Sequence, residues 1–334
     1  MDYGVMGLLS AIDAVRVAIA LVCLSIAAYT DYRTRMASDW LWRVMGFTGV
    51  FLMFFDISAM GGPGGDGGDM APVHYVGIVP VFVAVLDISF DRPPLYSREN
   101  GFYLPGLVLL AVGFFSLLFF LLSKPPLWLI FYFISPVAMV YFYYILYLVW
   151  IIQGGADAKA LMAMSVLFPR YPAFWSPLVP GPFPEAEMSY AYPFSLLVLT
   201  NAAILAAVFY PAVLFFINAR RGDFCFPAML LGYRKSTSEP LGFNWPMQKI
   251  DGGAGAGSGE GENGEGAGKV RFVYSLKTLE GEKEWENLRE TGLEKAWVRP
   301  KIPLLVFILA GFVFSLVVGN PLGAAIGWLI AGLF

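Results

Sequence analysis

The sequence contains few charged residues for its length. Asp, Glu, Lys and Arg make up only 14% of the 334 residues, whereas 58% are hydrophobic and the mean hydropathy is +0.65. Soluble domains carry about a quarter charged residues, so this composition excludes a water-soluble globular protein. Several uncharged stretches reach the roughly 20 residues with which a helix crosses a bilayer. The sequence therefore predicts an integral membrane protein surrounded by a lipid bilayer.

Cysteine and histidine are nearly absent, which excludes several kinds of site. Cys23 and Cys225 are the only cysteines, so there is neither a disulfide framework nor a four-cysteine zinc site. His74 is the only histidine, so the sequence lacks residues needed for a Ser-His-Asp triad, a Cys-His pair or a His-Glu-x-x-His zinc motif. We therefore predict no metal and no cofactor, and carboxylates as the chemical groups of any enzyme activity. A formal net charge of -3 predicts no nucleic-acid partner.

Apolar runs predict about eight transmembrane helices. The predicted spans are residues 14–30, 40–57, 75–89, 104–122, 127–152, 157–169 with flanking residues, 194–217 and 302–319. Residues 320–334 form a further apolar run, which is either a short re-entrant helix or a ninth span.

The basic residues indicate how these spans are oriented. They cluster between spans one and two, between spans three and four, and in residues 219–301, which contain 13 of the 22 lysines and arginines. These segments all fall on one side of the membrane if the N-terminus is outside. Because loops rich in Lys and Arg stay in the cytoplasm, we predict a multi-pass protein of the cell membrane with this side in the cytoplasm.

The fold class predicted is an all-α polytopic membrane protein with a small, mostly cytoplasmic α+β insertion before the last span. Three parts are predicted: a transmembrane domain over 1–218, a soluble domain over 219–301 and a C-terminal transmembrane segment over 302–334.

Two Gly-rich stretches interrupt the pattern. Residues 61–69 are predicted to form a flexible outer loop, and the acidic linker 251–268 is predicted to be disordered because it contains almost nothing apolar to bury. After the linker, alternating residues over 270–277 predict one amphipathic strand, and the charged stretch 280–295 predicts a short helix.

Acidic residues at the ends of the predicted spans are the candidate functional groups. Asp31 ends the first apolar run and Asp157 follows the fifth span, so both lie at cytoplasmic ends in the predicted topology. Carboxylates near hydrocarbon are costly and normally have a partner or a function. A third, Asp13, precedes Arg16 by three residues near the outer end of span one, and a local ion pair is predicted there.

Two neighbouring carboxylates could cut a peptide bond. They tend to share one proton, so the ionised one can activate water while the protonated one polarises the peptide carbonyl. Gly154 and Gly155 would let an extended substrate backbone approach Asp157. The residues alone leave non-catalytic interpretations open. Each aspartate could be a solvated residue at the end of a helix, and Asp157 could cap the following helix.

Four segments resemble a known family when taken in order. They are TDYRTR at 30–35, GGADAKAL at 154–161, GDF and FPAMLLGYR at 222–224 and 226–234, and WVRPKIP at 297–303. They are similar to the archaeal type IV prepilin peptidases, GxGD-type intramembrane aspartyl peptidases that include the preflagellin peptidases.

The resemblance implies an aspartic-type endopeptidase. It would remove short basic leader peptides from type IV prepilin-like or archaellin precursors at the cytoplasmic membrane face. Asp31 and Asp157 would be the catalytic pair, and Gly154, Gly155 and Lys159 would contact the substrate. From its position alone, Lys159 is equally well explained as a snorkelling lysine at the start of a helix.

The sequence departs from the family pattern in three respects. Ala156 replaces the second glycine of the motif, a mild change to another small residue. The family core has six spans, and the surplus pair here lies between the two aspartates, which keeps both on one side. The Gly-rich linker is also additional.

Two other functions are compatible with the same residues. In an ion- or proton-coupled transporter, Asp31 and Asp157 would bind a cation or relay protons. In a membrane anchor for pilus assembly, the chain would bind substrate without cutting it. Transporters often show internal pseudo-symmetry and interrupted helices; we find neither pattern in the sequence, which favours the enzyme.

Overall fold

Helices form most of the computed structural model. It describes residues 3–60, 72–89, 96–97, 101–179, 192–251, 269–272 and 281–331. The helices are α1 (Tyr3–Thr34), α2 (Asp39–Met60), α3 (Ile78–Ser89), α4 (Leu104–Leu122), α5 (Leu127–Leu148), α6 (Gly155–Leu167), α7 (Phe194–Arg221), α8 (Ala228–Leu231), α9 (Gly281–Glu290), α10 (Leu304–Val317) and α11 (Pro321–Ala331), with a 3-10 turn over Pro72–Gly77 before α3.

The predicted class of polytopic helical membrane protein is confirmed. Among the described residues, six helices are long and apolar enough to cross a membrane: Gly4–Thr34, Asp39–Met60, Pro72–Ser89, Leu104–Leu122, Leu127–Leu148 and Phe194–Arg221. The other two predicted spans are also helical, but α6 has 13 residues and α10 has 14. At 1.5 Å per residue they are about 20 Å long, shorter than a hydrocarbon core of about 30 Å.

Proline marks the start of several helices, as its fixed φ and missing N–H favour. Pro105 lies in the first turn of α4, Pro126 and Pro303 immediately precede α5 and α10, and Pro321 begins α11. Within the run 320–334, the described residues form the 11-residue helix α11, which is about 16 Å long and shorter than a straight span.

The chain divides into two compact units. One comprises Met1–Ala203 with Pro303–Phe334, and the other Ile204–Ile302. In the first unit, α6 packs against α5 and α2, and α1 packs against α2 and α10. A Cβ at Gly49 on α2 would lie 2.8 Å from the Val166 backbone of α6, so glycine is what lets these two helices approach.

The second unit contains small antiparallel sheets. Strands β3 (Tyr233–Ser236), β7 (Lys295–Pro300) and β4 (Asn244–Pro246) pair in that order, and β5 (Gln248–Asp251) pairs with β6 (Lys269–Phe272). Trp285 and Leu288 of α9 are buried with Val298 of β7. Two further short strands, β1 (Tyr96–Ser97) and β2 (Gly101–Phe102), belong to the first unit and lie between α3 and α4 in the chain.

The α+β character predicted for the insertion is therefore present. Helix α9 confirms the short helix predicted within 280–295. Strand β6 covers the first part of the predicted amphipathic strand, and its continuation over 273–277 lies outside the described residues. The outer loop 61–69 and the linker from 252 to 268 also lie outside them.

Candidate active site

A cavity of about 610 Å³ within the first unit contains both candidate aspartates. Asp31 lies in the last turn of α1, and Asp157 lies in the first turn of α6. The polar and aromatic residues that line the cavity with them are Arg35, Asp39, Asp87, Tyr141, Tyr144, Tyr147 and Lys159. Gly154, Gly155 and Leu305 complete the part nearest the aspartates. The fold thus brings together all five site residues that the sequence predicts.

The start of α10 holds Asp31 in place. Its carboxylate accepts a hydrogen bond from the backbone N–H of Leu305. Leu305 is in the first turn of α10, where N–H groups have no acceptor within the helix and are free to bind one elsewhere. The other oxygen, Asp31 Oδ2, is buried and finds no hydrogen-bond partner in the described part of the chain. A buried oxygen of this kind is suited to a bound water or substrate atom.

The two aspartates line the same cavity although 126 positions separate them in the sequence. Their carboxylates are close enough for the charge of Asp31 to act on Asp157. Two carboxylates at this proximity repel when both are ionised, which favours a state in which the pair holds one proton.

Gly154 is required by the position of the Asp157 carboxylate. Gly154 caps the start of α6 in an extended conformation, and a Cβ there would collide with Asp157 Oδ2. At Gly155 a Cβ would only reach ordinary contact, 3.8 Å from the Tyr147 ring. The first glycine therefore leaves room for the carboxylate itself, a reason that the sequence pattern did not reveal.

Lys159 forms an ion pair within the cavity wall. Its Nζ lies 3.0 Å from Asp39 Oδ1 and connects α6 to α2. The lysine is only 18% exposed, so it does not extend freely into solvent as a snorkelling lysine would. Asp39 was not predicted as a site residue, because 120 positions separate it from Lys159 and no local pattern links the two.

Three tyrosines and a further aspartate were also missed by sequence reasoning. Tyr141, Tyr144 and Tyr147 recur every three residues on α5 and all line the cavity, so their spacing was the available signal. The Tyr141 hydroxyl donates a hydrogen bond to Asp87 Oδ2 at 3.3 Å. Asp87 lies near the end of the apolar helix α3, where a carboxylate is energetically costly and normally has a partner or a function.

The cavity has more acidic than basic groups. Four aspartates and two basic side chains line it, which gives a formal charge of -2 when all are ionised. Its electrostatic field therefore favours a positively charged occupant. In the described residues, no three or more His, Cys, Asp or Glu side chains are grouped in a way that could hold a metal ion.

Comparison with known proteins gives one distant relative. The chain is 28% identical over 174 residues to a preflagellin peptidase of Methanococcus voltae, a match that covers 51% of this chain and 65% of that protein. No protein-family model matches the sequence, and no solved structure matches it. The chain is therefore a multi-pass helical membrane protein that is similar, over about half its length, to a preflagellin peptidase.

Proposed function

We propose that this protein is an intramembrane aspartyl endopeptidase whose catalytic pair is Asp31 and Asp157. The observation that carries the proposal is their meeting in one cavity, within electrostatic reach of each other, from helices far apart in the sequence. The similarity to a preflagellin peptidase supports a peptidase activity.

The pair would act through one shared proton. A water bound between the carboxylates loses a proton to the ionised aspartate as its oxygen attacks the carbonyl carbon of the scissile peptide. The protonated aspartate donates a hydrogen bond to the carbonyl oxygen, and a proton then passes to the leaving amine as the C–N bond breaks. The buried Asp31 Oδ2 is available to such a water.

The substrates we propose are type IV prepilin-like or archaellin precursors with short basic leader peptides. The excess of carboxylates in the cavity suits a basic segment. The relative's preflagellin peptidase activity points to precursor proteins of this kind. The distribution of Lys and Arg supports a cytoplasmic location for the cavity ends of these helices.

The test is cleavage of a candidate precursor by membranes that contain the protein, with leader removal measured as a mass shift. Asp31→Asn and Asp157→Asn should each abolish cleavage, because each is nearly isosteric yet removes acid–base function. Asp223→Asn is the matched control, since Asp223 pairs with Arg234 in the second unit and is not among the residues that line the cavity. Cleavage retained by either cavity variant would contradict the mechanism.

The transporter alternative uses the same two aspartates and makes a different prediction. Purified protein in liposomes would then move protons or cations in a manner that Asp31→Asn or Asp157→Asn abolishes. The endopeptidase proposal predicts no such flux and predicts a cleaved leader.

A further inference from the structure

A cluster of four charged side chains lies inside the first unit, away from the cavity. Arg16 Nη1 is 2.8 Å from Asp13 Oδ1 and 2.8 Å from Asp56 Oδ2, and Arg170 lies 2.8 Å from Asp13 and 3.4 Å from Asp56. The Tyr132 hydroxyl donates to Asp56 at 2.6 Å. We call Asp13, Arg16, Asp56 and Arg170 the Arg/Asp cluster. Three of the side chains are at most 1% exposed, and Arg170 is 16% exposed.

The cluster and the cavity lie at opposite ends of the same helices. Asp31 follows Asp13 by 18 residues on α1, which is about 27 Å of helix. Asp157 starts α6, and Arg170 follows the end of that helix. Helices α2 and α5 also contribute to both places. The contact between Asp13 and Arg170 therefore joins the far ends of the two segments that carry the catalytic candidates.

Apolar packing alone fixes the axial position of such helices poorly. Lipid is as apolar as a leucine side chain, so no hydrophobic force opposes sliding of one helix along another. A slide of one turn, about 5.4 Å, would move Val166 away from Gly49 on α2 and would separate Arg170 from both aspartates. Charges left unpaired inside a membrane protein are strongly unfavourable.

We propose that Asp13 and Arg170 are positioning residues that fix the register of α6 against α1 and thereby set the relative depth of Asp31 and Asp157. A second contact acts in the same direction, because the backbone N–H of Ala173 donates to Asp13 Oδ2 at 2.7 Å. The importance of this register for cleavage rests on the proposed function. The register itself does not.

The test measures register through disulfide formation and does not require activity. In full-length protein with Cys23→Ser and Cys225→Ser, one variant carries Asp31→Cys with Asp157→Cys, and a second carries Asp31→Cys with Leu161→Cys. Leu161 lies four residues further along α6, so the second pair reports a one-turn slide. Copper-phenanthroline oxidation in lipid vesicles gives a rate for each pair, and their ratio measures the register.

Arg170→Gln should lower the ratio of the oxidation rate of the cysteine pair at positions 31 and 157 to that of the pair at positions 31 and 161 by about tenfold. The reason is that Asp13 and Asp56 then have no cation at the end of α6 to bind. Arg16→Gln is the matched control, since Arg16 is even more buried but, among the described residues, pairs with Asp13 on α1 and Asp56 on α2 and with no acidic group on α6, and the ratio should stay unchanged. General loss of folding would lower both rates together and leave no preference for the slid pair.

Arg170→Lys keeps the charge, so the protein should fold while losing the two-carboxylate bridge, with a ratio about threefold lower. The same variant with both aspartates intact should lower kcat and leave KM little changed, because the leader still binds. An unchanged ratio in the Arg170 variants, or an equal fall in Arg16→Gln, overturns the proposal. A lowered ratio in the cysteine pairs, together with no precursor cleavage by protein that keeps both aspartates, would refute the proposed function and leave the positioning role standing.

Discussion

At the scale of single residues, the chemistry of the cavity depends on how much space and charge surround each carboxylate. Asp31 is held by a backbone N–H from the start of α10, and Asp157 occupies space that exists only because residue 154 has no side chain. The charge of Arg35 acts on Asp31, and the charge of Asp31 acts on Asp157. Small changes beside either one should therefore alter catalysis.

Gly154→Ala should lower kcat by about 10- to 100-fold, because the new methyl group displaces the Asp157 carboxylate and small misplacements are costly. Gly155→Ala should cost much less, since its Cβ would make only ordinary contact with Tyr147. Steady-state cleavage of one precursor by both variants, at equal expression, provides the measurement. Equal losses would show that the two glycines serve the substrate and not the carboxylate.

Asp87→Asn should weaken the capture of basic leaders. It reduces the formal charge of the cavity from -2 to -1, and a partly exposed charge pair is worth about 0–1 kcal/mol, so KM should rise about threefold with kcat unchanged. A leader with its lysines or arginines replaced by glutamine should show no such difference, and raised salt should reduce it for the basic leader. If Asp87→Asn affects both leaders equally, Asp87 does not recognise charge.

At the scale of helices, buried charge has a much larger energetic effect than exposed charge. Arg16 is 1% exposed and bonds two aspartates on different helices, whereas Arg234 is 46% exposed and lies 3.4 Å from Asp223. Water cannot reach the buried aspartates to solvate them when Arg16 is removed. It can solvate Asp223 when Arg234 is removed.

Arg16→Met should lower the free energy of unfolding by about 3–5 kcal/mol, because it leaves Asp13 and Asp56 with one cation between them. Arg234→Met should lower it by about 0–1 kcal/mol. Denaturant titration in a mild detergent, followed by tryptophan fluorescence, compares the two. A small effect of Arg16→Met would mean that water enters the Arg/Asp cluster and solvates the carboxylates.

The sequence predicted the helices well because apolar runs are local signals. The pair formed by Asp13 and Arg16 is confirmed at 2.8 Å because three residues separate them on one helix. Asp56 and Arg170, which complete that cluster, were missed because nothing local connects them to Asp13. Hydropathy also cannot distinguish lipid from protein surroundings, so the buried 13-residue helix α6 was predicted to be a full span.

At the scale of the whole molecule, the second unit contains a connection that can be tested directly. Strands β5 and β6 pair antiparallel, with Asp251 opposite Lys269, so the Gly-rich linker joins two strand ends that already lie side by side. A two-residue turn can make such a connection.

Replacing residues 252–268 with Asn-Gly should preserve cleavage and raise the free energy of unfolding by about 1–2 kcal/mol, because a shorter loop costs less entropy to close. Thermal unfolding and precursor cleavage of the shortened protein check both parts. Loss of cleavage comparable to that of Asp31→Asn would show that the linker takes part in substrate recognition.

The composition of the Arg/Asp cluster also determines how it responds to membrane voltage. Moving one elementary charge through a potential of 100 mV requires about 2.3 kcal/mol, enough to shift a helix whose charge is uncompensated. The cluster contains two positive and two negative groups in mutual contact, so its displacement as a body does no net electrical work. The depth of the cluster in the bilayer should therefore be the same in energised and de-energised cells.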